Sequence, residues 1–155
     1  MINLGVTGSR HGMNQLQRSG AENYCGVLSI HSQPITFRQG CCVGVDEELT
    51  ILLNGVGYTW IIGYPPLNKT YLSTIAVDLS NDLMTARGYL ARNRAIVDDC
   101  ERLLAFPDSM SPKLHSGTWY TINYARQTKR KLRIFYPDGS IKDEFNLSSE
   151  EASSF

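Results

Sequence analysis

The sequence contains no long hydrophobic run and no excess charge of either sign. Its longest apolar runs, such as TWIIG and RLLAF, are far too short to span a bilayer, and no basic segment followed by an apolar one opens the chain. Fifteen lysines and arginines balance fifteen aspartates and glutamates, so no overall field attracts nucleic acid or an anionic membrane. We therefore expect a cytoplasmic protein without a membrane partner, in which any binding of anions is local.

Cysteine and histidine are too few and too scattered to suggest a metal site or a disulfide framework. The four cysteines, Cys25, Cys41, Cys42 and Cys100, include no CxxC pair, and the three histidines complete no zinc-ligand spacing. The adjacent Cys41 and Cys42 would make an awkward disulfide. We expect four reduced and buried thiols, no metal site and no bound cofactor.

What the sequence does contain is an alternation of short apolar strands with helix-length segments. The strands, predicted from aliphatic and aromatic runs bounded by Gly or Pro, are Ile2–Thr7, Ile35–Gln39, Tyr58–Ile62, Arg102–Phe106 and Lys131–Tyr136. The helices predicted between them are Met13–Ile30, Asp46–Asn54, Arg92–Cys100 and Gly117–Thr128. Such an alternation is typical of a parallel sheet covered on both faces. The prediction is an α/β fold: a Rossmann-like three-layer α/β/α domain with a mainly parallel sheet.

Length and composition predict a single packed domain. The chain has 155 residues, 42% of them hydrophobic, which is enough to form one hydrophobic core without disulfide bonds or structural metal ions. We expect the domain to span residues 1–140, with a short return strand and a mobile polar tail over residues 141–155. The segment Tyr64–Leu90 fits no single element, and loops of that length are often lids or binding loops.

Small, hydroxyl-bearing and cationic residues follow several of the predicted strands. In an open parallel sheet, ligands bind beyond the carboxyl ends of the strands, where helix N-termini present free amide groups. Glycines let the backbone approach a ligand, hydroxyls donate hydrogen bonds, and arginines carry planar donors suited to phosphate. Taken singly, each piece also fits a plain turn or a solvated helix end. Together they predict a nucleotide or phosphosugar site that includes Gly8, Ser9, Arg10, Gly44, Arg92, Arg94, Ser116, Gly117 and Thr118.

Four stretches resemble, in the same order, four sequence blocks of the SLOG superfamily. They are GVTGSR, GCCVGVDEEL, ARNRAIVDDCERLLAF and HSGTWYTINYARQTKRKLRIFYPDG, against family patterns that read roughly G-S-R, G-x-A-x-G-I-D, S-R-N-R-I-I and S-G-[ST]-x-x-T-x-x-x-A. The resemblance is closest to the Rossmann domain of DNA-processing protein A (Smf) and its small stand-alone relatives, often phage-encoded, and it runs from about Ile2 to Gly139. It implies a pocket for nucleotide-like ligands lined by Gly8, Ser9, Arg10, Gly44, Asp46, Arg92, Asn93, Ser116, Gly117 and Thr118. A phage-encoded member would act in the host cytoplasm.

Several residues in or beside these blocks have two interpretations at this point. Asp46 either caps its helix or contacts a ribose. Trp119 and Tyr120 either stack on a base or pack against the sheet. His115 either donates to a phosphate or is an ordinary surface histidine.

The resemblance leaves three functions open. Its cytokinin-activating phosphoribohydrolases, the Lonely guy group, carry P-G-G-x-G-T-x-x-E, whose glutamate acts in cleaving an N-glycosidic bond. Thr121 stands at that place and has no carboxylate, although Asp46 or Glu47 could substitute from another loop. The DNA-processing relatives bind single-stranded DNA, and the run ARQTKRKLR concentrates five basic residues. A solvated helix end is the plainer account of that run, so we do not expect nucleic acid as a partner.

The remaining interpretation is a binding module without catalytic residues. We expect it to hold a nucleotide-derived ligand, such as an ADP-ribose derivative or a cyclic nucleotide, without turnover. In a phage, the purpose would be to sequester a host immune signalling nucleotide. The resemblance implies self-association, and a pocket completed by a neighbouring subunit would explain the long Tyr64–Leu90 segment, so we expect a homo-oligomer, either a dimer or a larger closed oligomer.

Overall fold

The hydrophobic segment at the start of the chain forms the central strand of a seven-stranded sheet. A computed structural model describes residues 1–31 and 33–145, so the predicted tail lies outside the described residues from position 146 onward. The elements, in chain order, are β1 Ile2–Gly8, α1 Gln15–Ile30, β2 Ile35–Gln39, α2 Val45–Asn54, β3 Thr59–Gly63, α3 Thr74–Asp78, β4 Asp82–Leu83, α4 Tyr89–Asp99, β5 Arg102–Phe106, α5 Gly117–Gln127, β6 Lys131–Phe135 and β7 Ile141–Glu144.

The strand order is β4-β3-β2-β1-β5-β6-β7, and every neighbouring pair is parallel except the last. From β1 the chain moves outward through β2, β3 and β4. It then returns to the other side of β1 and continues through β5 and β6. The strand order therefore reverses between β1 and β5, which confirms the predicted Rossmann-like α/β architecture.

Two hydrophobic cores lie on opposite faces of the sheet, because the side chains of each strand alternate between its faces. Leu104 and Phe106 of β5 belong to the core that includes residues of α1 and α2. Leu103 and Ala105 of the same strand belong to the core that includes residues of α4 and α5. All five residues of β5 are buried, as expected for a strand covered on both faces. This gives the three layers predicted from the sequence.

Several predicted boundaries move by a few residues. The first helix begins at Gln15, not Met13, because the side chain of Asn14 accepts the backbone N–H of Gln17 and caps the helix. The second helix begins one residue before Asp46, and the third strand ends at Gly63. The helix predicted from Arg92 begins at Tyr89.

The segment that fits no single element contains two short ones, α3 and the two-residue strand β4. The predicted return strand is β7, which pairs antiparallel with β6. No helix within the described part of the chain is long and apolar enough to cross a membrane.

Candidate ligand-binding site

A cavity of about 550 Å³ lies at the carboxyl ends of β1 and β5, where the strand order reverses. This is the position at which open α/β sheets bind ligands. Nine of the eleven residues predicted for the site line this cavity, from four separate parts of the chain: Gly8, Ser9, Arg10, Asp46, Arg92, Asn93, Ser116, Gly117 and Thr118. The other two, Gly44 and Arg94, do not line it.

The turn after β1 is held against the start of α2. The carbonyl of Ser9 accepts the backbone N–H of Val45 at 3.0 Å, and its hydroxyl accepts the N–H of His11 at 3.0 Å. Gly44 takes a φ of +92°, and a Cβ there would lie 2.5 Å from the carbonyl carbon of Arg10. Gly44 therefore supports the cavity wall from behind, where only a glycine allows the two loops to approach this closely.

Hydrogen-bond donors converge at the start of α5. Ser116 caps this helix by accepting the N–H of Trp119 at 3.1 Å, which leaves the amides of Gly117 and Thr118 in its first turn. Thr118, a residue only 7% exposed, also lines the cavity here and carries a hydroxyl that can donate a hydrogen bond. The amide nitrogen of Asn93 lies 3.7 Å from where a Cβ on Gly117 would be. We call this group, Asn93 with Ser116, Gly117 and Thr118, the donor end of the cavity.

Arg92 uses most of its guanidinium N–H groups to hold the surrounding backbone and Asn93 in place. Its guanidinium donates to the carbonyl of Gly40 and, at 3.2 Å, to that of Tyr64. Its Nε donates at 2.7 Å to the side-chain oxygen of Asn93, so the Asn93 NH₂ is left to face the donor end. Arg92 is 6% exposed and is not the solvated helix-end charge that the sequence also allowed.

Asp46 lies close to Arg92 and is also buried. Burial raises the pKa of its carboxyl to about 6, although the charge of Arg92 and the backbone N–H groups of Cys42 and Gly40 lower it. The N-cap position of α2 is occupied by Gly44, so Asp46 does not cap the helix. A contact between Asp46 and a ribose stays a prediction.

Three other candidates lie away from the cavity. Arg94 donates to the hydroxyl of Tyr120 at 2.6 Å, on the side of α4 that faces α5. Trp119 is 2% exposed within a core, and its indole N–H donates to the hydroxyl of Ser109 at 2.9 Å. Of the two interpretations, packing against the rest of the fold describes Trp119, and neither Trp119 nor Tyr120 lines the cavity in which a base could stack.

The cavity has an aromatic side that was not found from the sequence. Tyr71 and Tyr89, both from the segment that fitted no single element, line it. The guanidinium of Arg10 lies 4.3 Å from the ring centre of Tyr71, and that of Arg92 lies 5.5 Å from the ring centre of Tyr89. The only sequence signal for these rings was the length of the segment that carries them.

The mouth of the cavity carries further charged groups. Lys113 and Asp108 line it and form an ion pair at 2.7 Å. His115 also lines the cavity and directly precedes Ser116, so it lies beside the donor end. Its side chain is exposed, and its φ is +60°. Among the residues that the structure describes, no group of three or more His, Cys, Asp and Glu could hold a metal ion, and the four cysteines are free and buried.

Two solved structures share this architecture. The molybdenum cofactor binding protein from the phototrophic bacterium Rippkaea orientalis superposes with a TM-score of 0.63 at 18% identity, over 86% of this chain and 75% of that one. The protein TM1055 superposes with a TM-score of 0.57 at 13% identity, over 85% of this chain and 72% of that one. No family model and no curated protein matches the chain. At these identities the likeness shows the fold alone.

Proposed function

We propose that this protein binds a nucleotide-derived ligand, such as an ADP-ribose derivative or a cyclic nucleotide, and holds it without turnover. We further propose that it is a small SLOG relative of the DNA-processing type, which in a phage would sequester an immune signalling nucleotide. The observation that carries the proposal is the single cavity at the reversal of strand order, which unites the turn after β1, α4 and the start of α5.

The donor end has the chemistry of a phosphate site. The first amides of α5 carry the positive end of the helix dipole, and the Asn93 NH₂ and the Thr118 hydroxyl add two neutral donors. Arg10 and Lys113 place positive charge elsewhere on the lining. A phosphate at the donor end would accept hydrogen bonds from the first amides of α5, from the Asn93 NH₂ and from the Thr118 hydroxyl.

The residue that stands where the phosphoribohydrolases carry their glutamate is Thr121, and its surroundings favour binding over hydrolysis. Thr121 is 1% exposed, and its hydroxyl donates to the carbonyl of Gly117 at 2.7 Å within the helix. It does not line the cavity. Glu47, the other candidate substitute, accepts the hydroxyl of Ser73 at 2.6 Å and does not line the cavity either.

Asp46 keeps cleavage of an N-glycosidic bond as a second candidate function. It is a buried carboxyl in the cavity with a pKa raised to about 6, a property common among general acids and bases. Incubation with nucleoside monophosphates, followed by chromatography for free base, decides between the two functions. Release of base that Asp46→Asn abolishes would replace our proposal with hydrolysis.

Two of the five basic residues in the run that could have bound single-stranded DNA are held in ion pairs. Arg126 forms a two-pronged ion pair with Glu144 at 2.8 and 2.9 Å. Arg133 does the same with Asp143 at 2.6 and 2.9 Å. Because β7 brings these carboxylates to the run, we propose no nucleic acid partner.

The proposal predicts that a negative charge at the donor end abolishes binding. Asn93→Asp changes the side chain by one atom and would place a carboxylate against the bound phosphate, so we expect affinity to fall at least about a hundredfold. Titration calorimetry against AMP, ADP-ribose, cyclic ADP-ribose isomers and cyclic dinucleotides is the measurement.

Asn123→Asp is the matched control, because Asn123 is exposed on α5 and does not line the cavity. We expect it to bind like the unmodified protein. An absence of binding to every member of the panel at micromolar concentration would overturn the proposed function.

A further inference from the structure

We propose that Tyr71 and Tyr89 form the ring-binding wall of the cavity, so that the ligand lies with its phosphate at the donor end and an aromatic base against these tyrosines. This inference rests on the proposed function and deepens it, because it fixes the orientation of the ligand and the residues that select it. It also assigns a role to the Tyr64–Leu90 segment, which the sequence left without one.

The two sides of the cavity differ in chemistry. At the donor end, the lining consists of amide and hydroxyl groups and contains no tyrosine, phenylalanine or tryptophan ring. Among the described lining residues, the only six-membered aromatic rings are those of Tyr71 and Tyr89. A ligand with a phosphate and a planar base matches this division in one orientation only, because bases stack on aromatic faces and phosphates bind at helix N-termini.

The sheet order separates the two sides. The segment 71–73 lies along the loop after β2: the N–H of Val43 donates to the carbonyl of Tyr71, and the N–H of Ser73 donates to the carbonyl of Cys41, both at 2.8 Å. The donor end follows β5, which is two strands away, on the other side of β1. Adjacent strands are about 4.8 Å apart, so Tyr71 and the start of α5 are separated by roughly 10 Å, about the span of a nucleoside monophosphate. Tyr89 lies one helical turn before Asn93 on α4, so this separation applies to Tyr71 alone.

The tyrosines are fixed in place by contacts that do not involve a ligand. Tyr71 is anchored through its backbone to the loop after β2, next to the bridge between Cys42 and Leu72. Tyr89 is the first residue of α4, and its hydroxyl donates to the carbonyl of Asn68 at 3.1 Å. Both side chains are nevertheless partly exposed, so their rings offer surface that a base can cover without any rearrangement of the backbone.

Arg10 belongs to this wall and not to the phosphate site. Its guanidinium already lies over the ring of Tyr71 at 4.3 Å, and no ion pair holds it within the described chain. Guanidinium groups and tyrosine rings both stack on nucleic acid bases. The Arg10–Tyr71 pair therefore extends the aromatic surface and adds positive charge beside it.

The test compares AMP with ribose 5-phosphate, which has the same sugar phosphate and no base. In Tyr71→Leu we expect AMP to bind about tenfold more weakly, while the affinity for ribose 5-phosphate stays within about twofold. Tyr71→Phe keeps the ring and should retain the affinity for AMP. Tyr58→Leu is the matched control, because Tyr58 is 82% exposed and does not line the cavity.

The outcomes separate this inference from the function on which it rests. Equal losses for AMP and ribose 5-phosphate in Tyr71→Leu, or no loss of AMP binding in both Tyr71→Leu and Tyr89→Leu, would overturn the ring-binding wall and leave a phosphate site. A loss of AMP binding in Tyr71→Phe equal to that in Tyr71→Leu would also overturn it, because the aromatic face would then not be what matters. Failure of the unmodified protein to bind AMP, ribose 5-phosphate and every other member of the calorimetric panel would overturn the proposed function together with this inference.

Discussion

Asp46 and Arg92 form a buried pair of opposite charge in the wall of the cavity. Arg92 connects the loop after β2, the end of β3 and Asn93, and its charge stabilises the ionised carboxyl of Asp46. Burial acts in the opposite direction and is the larger effect, so the carboxyl retains a proton at higher pH than an exposed aspartate does. The titration of Asp46 therefore affects the stability of the fold.

Stability is predicted to decrease as the pH rises through the titration of Asp46. The pKa is raised from 3.8 to about 6, so between these values the folded protein binds a proton that the unfolded chain releases. The contribution is present below pH 4 and lost above pH 6, and it amounts to roughly 3 kcal/mol. Urea unfolding at pH 4, 5, 6 and 7 should show that the unfolding free energy of the unmodified protein falls relative to that of Asp46→Asn as the pH rises, because the asparagine side chain stays neutral.

Asp78→Asn on the exposed side of α3 is the control and should keep the unmodified pH dependence. The lowered pKa of Glu144, caused by its hydrogen bonds with Arg126, acts at a lower pH and with the opposite sign, since that stability is lost as the pH falls. A difference between the unmodified protein and Asp46→Asn that stays constant from pH 4 to 7 would contradict the prediction.

Arg92 and Arg94 illustrate what a sequence can and cannot predict for single residues. Both lie near the start of the same helix and carry the same guanidinium group. Their positions in the sequence therefore did not show which of the two would line the cavity. Two positions along a helix amount to about 200°, and the two side chains therefore face different neighbours. Arg92 lines the cavity, whereas Arg94 bonds to Tyr120. Which face meets the sheet is decided by the tertiary packing of α4.

At the scale of elements, the joint between the turn after β1 and α2 depends on one backbone conformation. Gly44→Ala would place a Cβ 2.5 Å from the backbone of Ser9 and Arg10, at a φ that L residues rarely adopt. We expect the free energy of unfolding to fall by about 3 kcal/mol. Gly26→Ala is the counterpart, since nothing lies within 4 Å of its Cβ position on α1, and it should raise stability by about 0.5–1 kcal/mol. Chemical denaturation measures both; a tolerated Gly44→Ala would show that the two loops need not touch.

The elements that the sequence predicted well are those with strong local signals. Each long strand is an apolar run bounded by Gly or Pro, and each long helix has an apolar period or a cap. The segment Tyr64–Leu90 has neither, because α3 has five residues and β4 has two. Its fold depends on distant partners, such as the Val43–Tyr71 hydrogen bond and the side chain of Gln39, which donates to Ser80 at 3.0 Å. The aromatic side of the cavity was missed for the same reason.

At the scale of the whole molecule, the order of the strands assembles the cavity from distant parts of the chain. The turn after β1, the loop after β2 and the start of α5 are close only because β1 lies between β2 and β5. The expectation of a homo-oligomer rests on the family resemblance and on the Tyr64–Leu90 segment, which a neighbouring subunit would explain. Hydrogen bonds within the chain now account for much of that segment. Self-association stays a prediction, to be measured by light scattering.

A ligand that joins these parts should stabilise the entire fold, because the unfolded chain has no cavity to bind it. AMP at one hundred times its dissociation constant would add about 2.7 kcal/mol to the free energy of unfolding. For a chain of this length we expect the melting temperature to rise by roughly 5–10 °C, as measured by calorimetry or circular dichroism. Asn93→Asp at the same AMP concentration should show little change, whereas Asn123→Asp should shift like the unmodified protein. Equal shifts in all three proteins would mean that AMP binds away from the donor end, since the same nucleotide would then be stabilising the fold without Asn93.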